Sequence, residues 1–166
     1  MKKNFILFLL LFSSFIFSQE KKNLAIKKTI EKITIDGLLN EEVWKISESA
    51  SNFWQNFPYD TCIAKSKTEV YMTYNDKSIF IAAICYDSIP GNFIIQSLKR
   101  DFSYPISDAF VVTLDPFSDQ QNGFSFGVNP FGVQREGLIA NGGGMGVTTA
   151  WDNKVKSKVP TRVERL

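Results

Sequence analysis

Residues 67–87 read KTEVYMTYNDKSIFIAAICYD. Two strand-like runs flank the turn residues Asn75, Asp76 and Lys77. The first alternates, with Val70, Met72 and Tyr74 on one face; the second, Ile79 to Tyr86, is apolar throughout, as a central strand buried on both sides would be. Residues 107–146, SDAFVVTLDPFSDQQNGFSFGVNPFGVQREGLIANGGGMG, continue in the same style. Strands are expected at about 108–114, 123–129 and 133–140, separated by Pro, Asn-Gly and Asn-Pro-Phe-Gly turns. Many short strands, aromatic enrichment and one minor helix point to an all-β fold, an antiparallel β-sandwich with one short helix.

Upstream, residues 33–44 read ITIDGLLNEEVW. Thr29–Ile35 is strand-like and Asp36-Gly37 ends it. Asn40 is placed to cap a helix, with Glu41 and Glu42 in the first turn, where carboxylates complement the helix dipole. That helix ends near Ser47. From Ser49 to Lys65 the chain has Pro58, many polar residues and the aromatics Phe53, Trp54, Phe57 and Tyr59, the composition of a long aromatic-rich loop.

The first residues, MKKNFILFLLLFSSFIFSQ, combine two lysines, the apolar run Phe5–Phe12 and later small serines. They read as a secretory signal peptide over 1–18, too short for a comfortable membrane span. The protein is therefore expected to be exported, to the periplasm, outer membrane or extracellular space. Residues 19–28 are charged and aperiodic, a flexible lead-in, and 29–151 form the domain. Of the 19 basic residues, Lys2 and Lys3 belong to the leader, and the remainder balance the 17 acidic ones. That balance argues against nucleic acid as a partner. Cys62 and Cys85 would pass through an oxidising compartment, where a disulfide and two free thiols are both open readings.

With no histidine in the chain, Ser-His-Asp and Cys-His catalysis and the commonest catalytic zinc sets are excluded. The run GGGMGV at 142–147 lacks the last glycine of a dinucleotide fingerprint and is followed by no Gly-Lys-Ser/Thr. Asp108 and Asp115 are the tempting carboxylate pair, but one strand would hold them about 23 Å apart at its usual rise. A glycosidase needs roughly 5–10 Å. No catalytic residue is therefore assigned. Asp115, Asp119 and Asn122 offer hard oxygen ligands for Ca2+ within one connection, though a hairpin turn closed by Asn122-Gly123 accounts for the same residues. No other metal or cofactor is expected.

The segment IDGLLNEEVW at 35–44 resembles the opening of the family 9 carbohydrate-binding-module-like domain. The likeness continues through TEVYMTYNDKSIFIAAICYD and becomes dense in residues 107–143, covering roughly Thr29 to Trp151. The resemblance implies a DOMON-like sandwich of the subgroup found at the N-terminus of larger secreted or outer-membrane proteins. Characterised members of the family bind sugars between tryptophans, with polar groups around them. After Trp151 the chain departs from that pattern. DNKVKSKVPTRVERL is basic and lacks strand periodicity, so 152–166 reads as a disordered tail, that of a fragment or a frame-shifted product.

Sugar recognition needs flat aromatic faces and fixed polar groups. Trp44 has the apolar spacing of a core residue. Trp54, beside Gln55 and Asn56, stands between satellite core and stacking platform, as does Trp151. In the hairpin 124–139, a bulged Asn129–Gly132 turn sets position 127 opposite 135. Ser125, Gly127, Asn129, Arg135 and Gly137 then share one polar face, with Phe124, Phe126 and Val128 towards the core. Arg100 adds a cation at a sheet end. The carbohydrate-binding candidates are thus Trp54, Arg100, Asn129, Arg135 and Trp151. The leading expectation is a noncatalytic carbohydrate-binding module taking a plant or microbial polysaccharide or oligosaccharide. One alternative is a structural or docking domain that packs on a missing C-terminal domain of the same parent protein, with membrane contact only through that parent. Another is an accessory part of a glycoside hydrolase whose carboxylates lie elsewhere.

Overall fold

In a computed structural model the described residues are 22–87, 92–143 and 146–160. The expected leader 1–18 and the tail residues 161–166 lie outside them. The fold is all-β with one short helix: among the described residues there are two four-stranded sheets and one α-helix. The elements are β1 (Lys27–Lys28), α1 (Glu42–Ile46), β2 (Ser49–Ala50), β3 (Thr68–Tyr74), β4 (Ile79–Cys85), β5 (Phe110–Leu114), β6 (Gly123–Val128), β7 (Gln134–Ile139) and β8 (Val147–Thr148).

In the first sheet β3 pairs antiparallel with β4 along its whole length, from Thr68 opposite Cys85 to Tyr74 opposite Ile79. The connection is the expected tight turn, in which the Asn75 carboxamide oxygen accepts the Lys77 and Ser78 N–H groups. The other edge of β3 is shared end to end by β1, parallel, and β2, antiparallel. β4 is therefore an edge strand among the described residues, not a central one. Only Ala82 in it is buried, and Ile79 is 56% exposed.

The segment Thr29–Ile35 does not form the expected strand. Pairing stops at Lys28, where Thr73 Oγ1 donates to the Lys27 carbonyl and the Thr29 N–H to the Tyr74 carbonyl. Thr29 Oγ1 then accepts the Glu31 N–H, a local bond that competes with extending the ladder. Glu31 is turned back by this bend, and its carboxylate accepts the Glu42 and Val43 N–H groups at 3.3 and 3.0 Å. A helix start leaves such N–H groups without partners, and a carboxylate there also suits the dipole. The cap therefore comes from eleven residues upstream, not from Asn40; Glu41 holds the N-cap backbone position. Glu41 bridges instead, accepting from the Thr34 N–H and from the Trp44 indole. In Asp36-Gly37 the carboxylate accepts the Leu38 N–H, and Gly37 takes φ +88°, the left-handed region a side chain would oppose. The result seats Val43 and Trp44, each 6% exposed, on Ala82, with Ile33, Leu39, Tyr71 and Phe80 around them. The helix thus covers the Tyr71–Ala82 face of the sheet, opposite to the Val70, Met72 and Tyr74 face.

The second sheet runs β5-β6-β7-β8, all antiparallel. Its hairpin β6–β7 has the expected register, Gly127 opposite Arg135 and Ser125 opposite Gly137. Gly123 is demanded by packing: a Cβ there would lie 2.6 Å from the Leu114 carbonyl oxygen.

Candidate functional site

The face of the β6–β7 hairpin expected to be an open polar platform is covered. Ser125 and Asn129 are 4% and 1% exposed, while Phe124 and Phe126 are half-buried beneath Trp151. The segment 100–104 explains this, because it crosses the outer edge of β7. The Asp101 N–H donates to the Gln134 carbonyl and the Asp101 carboxylate accepts the Glu136 N–H, closing that edge beside the stretch taken by β8. Asp101 makes the crossing at φ +61°. The chain before it lies on the Glu136 face of the hairpin, and the chain after it on the Arg135 face.

On the Arg135 face, Arg135 Nε donates to the Phe102 carbonyl at 2.8 Å and its guanidinium stacks over the Tyr104 ring. Arg135 Nη1 is buried without a partner. Asn129 locks the turn: its Oδ1 accepts the Phe131 and Val133 N–H groups, and Gly132 takes φ +78°. The polar platform read from the sequence is therefore covered. Gly137 leaves room for a strand, not a ligand, since a Cβ there would meet the Thr148 carbonyl oxygen at 2.7 Å.

The Glu136 face is covered by a different segment, with Trp151 on the phenylalanines and Arg100 and Asn153 on Glu136. Glu136 is 1% exposed; Arg100 Nη2 lies 2.9 Å from its Oε1, and the Asn153 N–H donates to its Oε2 at 2.8 Å. Arg100 also pairs with the exposed Asp152 and more loosely with Asp101. Opposite Glu136 in the ladder stands Phe126, on which Trp151 packs with ring centroids 6.1 Å apart; Phe124 lies 5.1 Å from the same indole. Trp151 and Asp152 are consecutive, so one short segment lays an indole on the phenylalanines and a carboxylate on Arg100. Arg100 and Trp151 are thus brought together. Asn129 and Arg135 are neighbours on the other face.

Trp54 is on a separate element. The Gln55 N–H donates to the Cys62 carbonyl and the Ala64 N–H to the Phe53 carbonyl, which folds 53–64 into a small antiparallel loop. The Trp54 indole donates to the Asp60 carbonyl within it, and Phe57 and Tyr59 are 84% and 71% exposed beside it. Cys62 and Cys85 carry free thiols.

Asp115, Asp119 and Asn122 do share one connection. The Asp115 carboxylate accepts the Phe117, Asp119 and Gln120 N–H groups, and Asp119 accepts from the Gln121 and Asn122 backbone and the Asn122 side chain. The connection turns through left-handed backbone at Ser118 and Gln120, and not at Asn122-Gly123. These donors hold the Asp119 carboxyl below the usual aspartate range, the Asn122 side chain contributing most. A calcium ion here would have to compete with the turn's own N–H groups for carboxylate oxygens.

Asp101, beside Arg100, is a polar candidate in the sequence as well; Glu136 and Asp152 were not singled out as site residues from sequence. Glu136 alternates onto the same face as Phe124 and Phe126, and an acid on an aromatic face was the available signal. No family model, curated protein or solved structure matches the chain.

Proposed function

We propose that the domain is a noncatalytic carbohydrate-binding module of an exported protein, and that saccharide docks on the Trp151–Arg100 side of the second sheet. The observation that carries this reading is the half-buried Trp151 indole set beside the Arg100, Asp152 and Glu136 charge cluster. An aromatic face accepts the C–H surface of a pyranose, while a guanidinium donates to its hydroxyls and a carboxylate accepts from them. Glu136 is buried and doubly engaged, so its part is to position Arg100; Arg100, 44% exposed, and Asp152, 75% exposed, are paired with each other at the surface, where a ligand can meet them. The likeness of residues 35–44 and 107–143 to the family 9 domain supports the same reading. Titration calorimetry with xylo- and cello-oligosaccharides tests it: saturable heat that Trp151→Ala abolishes supports it, and absence of heat with every saccharide overturns it.

A docking role within a larger protein is the second reading. It is favoured by the exposed apolar side chains of Phe53, Trp54, Phe57, Tyr59 and Ile63 on one loop. Binding of the domain by another segment of its parent, at that loop and without any saccharide, would mark this role.

A further inference from the structure

The outer edge of β4 is unlike the other edge of its sheet. The bonds from the Tyr86 N–H to the Lys67 carbonyl and from the Asn75 N–H to the Ser78 carbonyl fix which residues of β4 face β3. In an antiparallel pair the bonded positions alternate, so Phe80, Ala82 and Ile84 turn their backbone groups towards β3. Ile79, Ile81, Ala83 and Cys85 turn theirs outward, and among the described residues no backbone group bonds to them. The strand IFIAAIC is seven residues long and carries no charge and no proline. An uncharged edge of this length without bulge or gatekeeper is a template for another strand.

We propose that β4 pairs with β4 of a second copy of this chain, antiparallel about a two-fold axis through Ala82, joining the two first sheets into one. The register follows from the outward positions. With Ala82 on the axis, Ile81 stands opposite Ala83 of the second copy and Ile79 opposite its Cys85, so every outward residue of the strand meets another outward residue. A shift by two residues in either direction leaves one end unpaired. Ala82 itself falls in a non-bonded pair, where the backbones come closest and a small side chain suits the crossing. An interface that repeats each contact about its axis is the isologous kind that closes at a dimer.

Sedimentation velocity over a dilution series, with amide exchange read at each concentration, tests this. The expected result is a monomer–dimer equilibrium in which the Ile81 and Ala83 amides slow as dimer accumulates, while those of Phe80 and Ile84 do not change. Ala83→Pro removes an outward N–H and none of the β3–β4 bonds, a placement edge strands tolerate, and should abolish the dimer. A monomer at all concentrations, or a dimer that keeps its affinity in Ala83→Pro, overturns the proposal.

Discussion

The Arg100 guanidinium lies 2.9 Å from the carboxylate of Glu136, a residue that is 1% exposed. A buried carboxylate that loses its cation keeps its desolvation penalty without the compensating attraction. Arg100→Ala should therefore lower stability by about 1–3 kcal/mol even though Arg100 is half-exposed. Arg100→Ala combined with Glu136→Gln should recover part of that loss, because the orphaned charge is gone. Urea unfolding of both variants checks this, and equal loss in the single and double variants would show that Glu136 does not depend on Arg100.

Trp44 is clamped from two sides, by the Ala82 face of the sheet and by the Glu41 carboxylate on its indole N–H. Trp44→Ala removes a large buried ring from the small core under α1 and should cost about 3–5 kcal/mol. Thermal melting of the variant is the measurement, with an unchanged midpoint as the contrary result.

The glycines of β6 separate by what surrounds them. A Cβ at position 123 would press on the Leu114 carbonyl at 2.6 Å, whereas one at 127 meets nothing nearer than Val111 Cγ2 at 3.4 Å. Gly123→Ala should thus destabilise by about 1–3 kcal/mol as overpacking against backbone. Gly127→Ala should fold nearly as well as the parent, and comparable losses in the two would contradict the β5–β6 register.

Asp119 binds its proton less readily in the fold than in a free chain, because Asn122 and the Gln121 N–H donate to the carboxylate. A depressed folded pKa means that the stabilisation is present above the unfolded value of 3.8. It is lost as pH falls through the lower, folded value. Carboxyl NMR titration should give Asp119 a midpoint below 3.8, and Asn122→Ala should move it upward. A midpoint unaffected by Asn122→Ala would contradict the turn geometry.

The paired strands β3–β4 and the β5–β6–β7 meander were legible in the sequence because period-two patterns and turn residues act locally. The Gly127–Arg135 register was legible for the same reason. Which face of that hairpin is covered was not, because the covering segment 100–104 arrives from outside the hairpin and crosses at Asp101. The Glu31 cap was hidden likewise, since a carboxylate eleven residues from the helix start carries no local capping pattern. Of the five candidate binding residues, the pairing of Arg100 with Trp151 depends on Asp152, a neighbour in sequence whose partner lies fifty-two residues away.

In the proposed function, saccharide meets the protein at Trp151. The chain has 3 tryptophans, at positions 44, 54 and 151, which give separate indole N–H signals in a nitrogen-edited NMR spectrum. Titrating an oligosaccharide should shift the Trp151 indole along a saturable curve, with the Arg100 guanidinium following it, while the buried Trp44 signal stays fixed. Arg100→Ala should weaken the curve by about tenfold, a loss of about 1.4 kcal/mol. Indole signals that remain in place with every saccharide, or a shift confined to Trp54, would contradict the account.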